Sequence, residues 1–80
     1  MTVTALLFAS YADVLNRDRV ELALPAGATV REALAQLRAL PGGGLLPPAP
    51  LVAVNQAYAR DDAILVHGDE LAVIPPVAGG

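Results

Sequence analysis

Two stretches near opposite ends of the chain alternate with the period of two that is typical of β-strands. In residues 2–9, both sets of alternating side chains are largely apolar: Val3, Ala5, Leu7 and Ala9 on one side, Thr4, Leu6 and Phe8 on the other. In residues 70–74, Leu71 and Val73 oppose Ala72 and Ile74, and neither pair is charged. Because a solvent-facing sheet surface normally carries polar residues, these strands predict a second apolar face besides the core face.

One helix signal dominates the middle of the chain. Thr29 and Glu32 form a capping-box pattern, in which the threonine hydroxyl accepts a hydrogen bond from the backbone N–H of Glu32. A helically spaced apolar stripe follows, made of Val30, Ala33, Leu34, Leu37 and Leu40, and Pro41 with three glycines stops the helix. A short helical turn over 11–15, capped by Ser10 and ending near Asn16, is predicted before it.

Weaker patterns predict further strands over 20–24, 51–54 and 58–60, with turns at Asn55-Gln56 and over 67–69. Pro75-Pro76 must end the last strand, because proline has no N–H to donate to a sheet. The resulting order predicts an α+β domain of the β-grasp type, with a four- to five-stranded sheet wrapped on one main helix. We expect this domain over residues 1–74 and a flexible tail over 75–80.

The second apolar face has two interpretations. Single exposed apolar residues are ordinary, because much of any protein surface is apolar. A contiguous patch more often marks a binding surface for another protein. Here the residues fall on two strands with Tyr58 nearby, so we favour an interface, with Phe8 and Ile74 as its anchors.

Composition narrows the chemistry. The chain of 80 residues has no cysteine and a single histidine, His67, which excludes disulfides, thiol nucleophiles and zinc sites built from these residues. We expect no metal site, no bound cofactor and no catalytic side chain. Eight carboxylates against five arginines and no lysine give a net charge of −3, which disfavours nucleic-acid binding. The uncharged stretch 39–59 is broken by prolines and glycines, so we expect no membrane helix and a cytoplasmic location.

The last residues, Gly79-Gly80, are the strongest chemical candidate. A terminal Gly-Gly alone is weak, because it could equally be a frayed end or an expression remnant. When Gly-Gly follows a strand and Pro-Pro, the chain ends in a sterically unhindered carboxyl group on a stiff spacer. Coupling that carboxyl to AMP would make a mixed anhydride, which a sulfur nucleophile can open to a thiocarboxylate.

Several motifs resemble the MoaD-type sulfur carriers, the family of molybdopterin synthase small subunits. The segment from Asp69 to Gly80, DELAVIPPVAGG, resembles the family's C-terminal signature, and its Pro-Pro-Val-x-Gly-Gly is the most specific piece. The central VAVNQ over 52–56, the LFA over 7–9 and the TVREAL over 29–34 resemble the central strand, first strand and helix start. The similarity spans nearly the whole chain and implies a mixed sheet with adjacent first and last strands.

The resemblance implies a function. Gly80 would be adenylated by an E1-like adenylyltransferase that uses ATP with magnesium, and a sulfur donor system would convert it to a thiocarboxylate. The tail, Pro75, Pro76, Val77, Ala78 and Gly79, would enter the active site of the synthase large subunit, in a heterotetramer of two small and two large subunits. There the sulfur would pass to cyclic pyranopterin monophosphate. Phe8, Tyr58 and Ile74 match the family's hydrophobic contact residues.

Three alternatives remain open at this point. A thiazole-forming sulfur carrier of thiamine synthesis shares the activation chemistry, but its tails usually lack Pro-Pro before the glycines. A ubiquitin-like protein modifier would join the same carboxyl to lysines. A β-grasp interaction module would leave the glycines without a role.

Overall fold

The computed structural model of the protein describes residues 1–76. In chain order the elements are β1 (Thr2–Leu7), α1 (Ala9–Leu15), β2 (Arg19–Ala23), α2 (Val30–Ala39), a 3-10 turn (Gly43–Leu45), β3 (Leu51–Val54), β4 (Ala57–Ala59) and β5 (Glu70–Ile74). The predicted α+β order is confirmed. The expectations for Val77, Ala78, Gly79 and Gly80 lie outside the described residues, and the division at residue 74 stays a prediction.

The five strands form one mixed sheet in the order β2-β1-β5-β3-β4. Strands β1 and β5, which are neighbours inside the sheet, run parallel, whereas the other three pairs are antiparallel. The parallel register pairs Leu7 with Val73, so β1 and β5 finish at the same end of the sheet. The β-grasp arrangement with adjacent first and last strands is therefore confirmed.

One face of the sheet forms the core with α2. Its buried strand residues are Val3, Ala5, Leu7, Val20, Leu22, Val52, Leu71 and Val73. They alternate with exposed or half-buried residues except in β3, where Ala53 beside Val52 is also buried. The buried stripe of α2 consists of Val30, Ala33, Leu34 and Leu37, as its helical spacing predicts. Leu40, the last residue predicted for the stripe, only packs partly buried against this core.

The start of α2 is held from two directions. The hydroxyl of Thr29 accepts the N–H of Glu32 at 3.4 Å, the half of the capping box that was predicted from sequence. The loop before β5 supplies carbonyl groups for the next free donors: Val30 N–H reaches Ala63 at 3.0 Å and Arg31 N–H reaches Asp61 at 2.8 Å. This loop therefore satisfies helix-terminal donors that side chains alone would leave open.

Two details at the end of β1 differ from the sequence prediction. The strand ends at Leu7 instead of Ala9, and α1 begins at Ala9 with Phe8 as its N-cap and no side-chain cap from Ser10. Ala9 takes a positive φ of 48°, which turns the chain sharply from strand into helix. The carbonyl of Phe8 accepts the N–H groups of Tyr11 at 3.0 Å and Ala12 at 3.4 Å, so the helix begins from the backbone of Phe8 and not from the side chain of Ser10.

A buried carboxylate fastens the β3–β4 turn to β5. Asp69 accepts the N–H of Val66 at 2.8 Å and the side-chain amide of Asn55 at 2.9 Å, while Asn55 also accepts the N–H of Glu70 at 3.0 Å. Asp69 is only 7% exposed, so both of its oxygens depend on these partners. Asn55 and Gln56 have positive φ angles of 49° and 72°, the geometry of a tight two-residue hairpin turn.

Replacing Asn55 by alanine is expected to lower the free energy of unfolding by about 1–3 kcal/mol, because it leaves a buried Asp69 oxygen without a donor. Urea denaturation monitored by circular dichroism measures this loss. The matched control is Gln56→Asn in the same turn, since asparagine tolerates positive φ. An Asn55→Ala protein as stable as the control would contradict the role of this clasp.

Candidate functional site

The face of the sheet opposite α2 carries a continuous row of small and apolar side chains. The register places Leu6, Ala72, Ala53 and Tyr58 side by side across β1, β5, β3 and β4. Arg19 of β2 lies next to Leu6 at one end of the row. Tyr58 at the other end is 76% exposed. No helix of the described chain covers this row, but its members differ in exposure: Leu6 and Ala72 are half-buried and Ala53 is only 6% exposed.

A second row lies one step closer to the end of β5. Ile74 pairs with Leu51 of β3, which is 52% exposed. Phe8 follows the Leu7–Val73 pair, keeps an extended backbone with φ −126° and ψ 150°, and therefore stands at the level of Ile74. Phe8 is 47% exposed. We define the apolar face as the residues of both rows: Leu6, Phe8, Leu51, Ala53, Tyr58, Ala72 and Ile74.

The rest of this sheet surface is polar. One step away from the apolar rows, Thr4 pairs with Glu21 on one side and Glu70 on the other. The carboxylates thus lie toward the start of β5, whereas the apolar residues lie toward its end. Because Pro75 and Pro76 directly follow Ile74, the chain leaves the sheet from the apolar end.

A depression of about 370 Å³ opens beside Phe8, between the end of β1, the start of α1 and the start of β2. Most of its lining is apolar, and Asp18 and Arg19 are the charged members: the lining is Leu6, Leu7, Phe8, Ala9, Ala12, Asp18 and Arg19. Ala9, whose positive φ turns the chain from β1 into α1, is part of this lining. The apolar face therefore has a depression next to Phe8, one of its predicted anchors.

The structure brings together the three predicted interface residues. Phe8 and Ile74 stand at one level, and Tyr58 lies one row away on the same face. Pro75 is half-buried and Pro76 is exposed, as the start of a segment leaving the sheet. The remaining predicted site residues, Val77, Ala78, Gly79 and Gly80, lie outside the described residues.

Sequence reasoning missed part of this surface. The sequence predicted that Leu51 and Ala53 lie in a strand but not on which face of the sheet they lie, because a run of four apolar residues shows no alternation. Only the pairing of Leu51 with Ile74 and of Ala53 with Ala72 and Tyr58 places them on the apolar face. The preceding Pro50 marked where the strand begins but carried no information on its partners.

Polar side chains outside the apolar face have structural roles. His67 is exposed, and its Nδ1 accepts the N–H of Thr2 at 3.0 Å, which ties the turn before β5 to the start of β1. Asp61 forms an ion pair with Arg31 at 3.0 Å. Within residues 1–76, no three His, Asp or Glu side chains are grouped so that they could hold a metal ion. The helices of that same segment are all too short or too polar to span a bilayer.

Comparison with known proteins agrees with this arrangement. Residues 5–80 match the model of the ThiS family. A protein of Arabidopsis thaliana named molybdopterin synthase sulfur carrier subunit is 34% identical, over 98% of this chain and 82% of its own. A protein of the same name from Dictyostelium discoideum is 37% identical, over 94% of this chain and 92% of its own.

Solved structures share the fold. SAMP1 of Haloferax volcanii superimposes with a TM-score of 0.87 at 30% identity, with both chains fully covered. A second crystal structure, of the small archaeal modifier protein 1 of the same organism, gives 0.83 at 29% identity, over 95% of this chain and 98% of its own. A chain in a complex of subunits 1 and 2 of the Helicobacter pylori molybdopterin-converting factor gives 0.74 at 21% identity, with full coverage of both, and shows the fold alone.

Shortening a side chain to alanine should have different effects on stability on the two faces of the sheet. Leu71→Ala is expected to cost about 2–5 kcal/mol of stability, because Leu71 is fully buried under α2. Tyr58→Ala is expected to change stability by less than about 0.5 kcal/mol, because the ring is mostly in water. Thermal unfolding of both variants measures the contrast. A large loss for Tyr58→Ala would mean that the apolar face is part of the core.

Proposed function

The chain belongs to the ThiS family, and on that premise we propose that it is the sulfur-carrying small subunit of a molybdopterin synthase. The observation that carries the proposal is the position of the chain's exit from the sheet. Ile74, Pro75 and Pro76 leave the sheet at the edge of the apolar face. A partner that covers this face therefore meets the segment leading to Gly80 at the same place.

The proposed chemistry takes place at the carboxyl group of Gly80. An E1-like enzyme transfers AMP from ATP with magnesium to this carboxyl, and pyrophosphate leaves. A sulfur donor then opens the mixed anhydride, AMP leaves, and a thiocarboxylate results. This subunit supplies no catalytic side chain, no metal ligand and no bound cofactor to these steps.

Delivery requires the large subunit. The tail of Pro75, Pro76, Val77, Ala78 and Gly79 places the thiocarboxylate of Gly80 in the large subunit's active site, where cyclic pyranopterin monophosphate receives the sulfur. Two deliveries build the dithiolene of molybdopterin, in a heterotetramer of two small and two large subunits. The absence of side chains on Gly79 and Gly80 lets the end enter a narrow channel, and the stiffness of Pro75-Pro76 limits the entropy lost on entry. On this proposal the protein works in the cytoplasm, where ATP for the activation step is available.

The apolar face supports docking of a protein partner. A binding surface of small central residues with large ones around them lets a flat apolar partner approach closely. Here Ala53 and Ala72 are central, while Phe8, Tyr58 and Ile74 supply the larger contacts. Aromatic anchors of this kind carry most of the energy in typical interfaces.

Protein modification is the second candidate, favoured by the likeness to the small archaeal modifier protein 1 of Haloferax volcanii. In that function the activated Gly80 would be joined to a lysine amine of another protein. The thiazole branch of thiamine synthesis is less well supported, since curated relatives over the full chain carry the molybdopterin name. Activation of the carboxyl is common to all three functions.

Removing Gly80 is expected to abolish sulfur transfer and leave the fold intact, because the described core ends before the tail. The chain is incubated with ATP, an E1-like enzyme and a sulfur donor. Intact-mass analysis then detects the exchange of one carboxyl oxygen for sulfur. The pterin precursor and large subunit are then added, and molybdopterin formation is measured. The matched control is Ile64→Ala, an exposed residue outside the apolar face. A chain without Gly80 that still makes molybdopterin would refute the proposal.

Phe8→Ala is expected to weaken binding of the large subunit by about 1–3 kcal/mol, because an anchor of the apolar face is lost. Isothermal titration calorimetry measures the affinity. Leu45→Ala is the matched control, since Leu45 is 75% exposed but lies in the 3-10 turn away from the sheet. Equal affinities of the two variants would count against the apolar face as the docking surface.

A further inference from the structure

The depression beside Phe8 continues the apolar face around the end of β1. Two members of the apolar face, Leu6 and Phe8, also line the depression, so a molecule that covers the face at this end also meets the depression. Leu7, which is buried in the core, is part of the lining as well. The depression is therefore an extension of the proposed docking surface and not a separate site.

Two small side chains leave this depression open. Ala9 and Ala12, both in α1, each contribute a single methyl group to the lining. Ala12 is half-buried and packs against the core, whereas Ala9 is exposed. A larger side chain at residue 12 would occupy the space instead. Protein partners place anchoring side chains in apolar pockets of this kind, where the anchor loses its contact with water.

Arg19 gives the depression a positive charge on the same side of the sheet as the apolar face. Leu6 pairs with Arg19 across β1 and β2, and directly opposed residues of an antiparallel pair lie on one face. Arg19 is exposed and takes part in no ion pair of residues 1–76. The preceding Asp18 is also exposed, and its carbonyl accepts the N–H of Leu7 at 2.9 Å. The guanidinium of Arg19 can therefore pair with a carboxylate of a molecule that covers the face.

We propose that the depression beside Phe8 receives one apolar side chain of the large subunit, and that a carboxylate near that side chain pairs with Arg19. The inference rests on the proposed function for the identity of the partner. A lasting subunit gains more from this anchor than a transient activating enzyme does, because well-buried anchors mainly slow dissociation. A small-molecule ligand fits less well, since the lining offers few polar groups to orient it.

Filling the depression tests the proposal. Ala12→Leu adds a branched side chain to the lining, and isothermal titration calorimetry with the large subunit measures the affinity. Ala35→Leu is the matched control, because Ala35 is exposed on α2, which packs on the other face of the sheet. Circular dichroism and thermal unfolding show whether both variants are folded. We expect Ala12→Leu to weaken binding by about tenfold or more and the control to leave it unchanged.

Ala12→Cys gives a second measurement that adds only one sulfur atom to the lining. The chain has no other cysteine, so the mass of this chain reports alkylation of the introduced thiol by iodoacetamide. We expect an excess of the large subunit to slow alkylation by about tenfold or more, since only unbound chain then reacts.

The ionic part of the proposal is tested by removing one charge. Arg19→Gln is expected to weaken binding by about two- to fivefold at low salt, because exposed ion pairs contribute little energy. The difference from wild type should disappear at high salt, where such pairs are screened. Arg38→Gln removes the same charge from α2 and is the control. Equal affinities of these two variants at low salt would overturn the pairing of Arg19 with a carboxylate.

Equal affinities of Ala12→Leu and Ala35→Leu would overturn the proposal, and so would alkylation that the large subunit does not slow. Two further results would identify a different occupant and also overturn it. In the first, Ala12→Leu binds the large subunit normally but is no longer activated by the E1-like enzyme. In the second, the wild-type chain sediments as a dimer and Ala12→Leu as a monomer. Failure of the wild-type chain to bind the large subunit at all would count against the proposed function as well, which none of the other results does.

Discussion

The parallel pairing of β1 with β5 is the constraint on which the rest of this molecule depends. It puts the first and last strands side by side inside the sheet, where each strand has one face toward the core and one face on the opposite side of the sheet. It also aligns Leu7 with Val73, which brings the ends of both strands to one edge. The position of Phe8 beside Ile74 and the exit of the chain next to them are consequences of this single register.

The same pairing explains which parts of the structure could be predicted from sequence. The α2 helix was predictable because its cap at Thr29 and its apolar stripe are local signals that agree with each other. The two-sided apolar character of β1 and β5 was visible in their alternation. The faces of Leu51 and Ala53 were not predictable, since they depend on pairing with residues about 20 positions away in the chain. The early start of α1 was missed because it depends on a positive φ at Ala9, a conformation that alanine rarely adopts and that its side chain does not signal.

The division of polar and apolar groups gives the molecule two kinds of surface. Polar groups that are buried, such as Asp69, are satisfied within the fold and hold the turns that set the strand register. Exposed charged groups lie on both helices, on β2 and on the loops, and Glu70 at the start of β5 is half-buried. The end of the sheet from which the chain leaves carries neither a buried polar network nor a group of metal-binding side chains in the described residues. That end instead presents the exposed side chains of Phe8 and Leu51 beside the departing chain.

The composition of the apolar face explains how such a surface can persist on a small domain. The two residues at its centre, Ala53 and Ala72, expose little area, so the unbound sheet presents only scattered larger groups to water. Leu51, Tyr58 and Phe8 lie at its margins, where partial exposure costs little because a folded surface is largely apolar in any case. Under the proposed function, the large subunit would cover this centre, and the marginal residues would then lose their remaining contact with water together. Their burial would accompany docking of the large subunit and not folding of the domain.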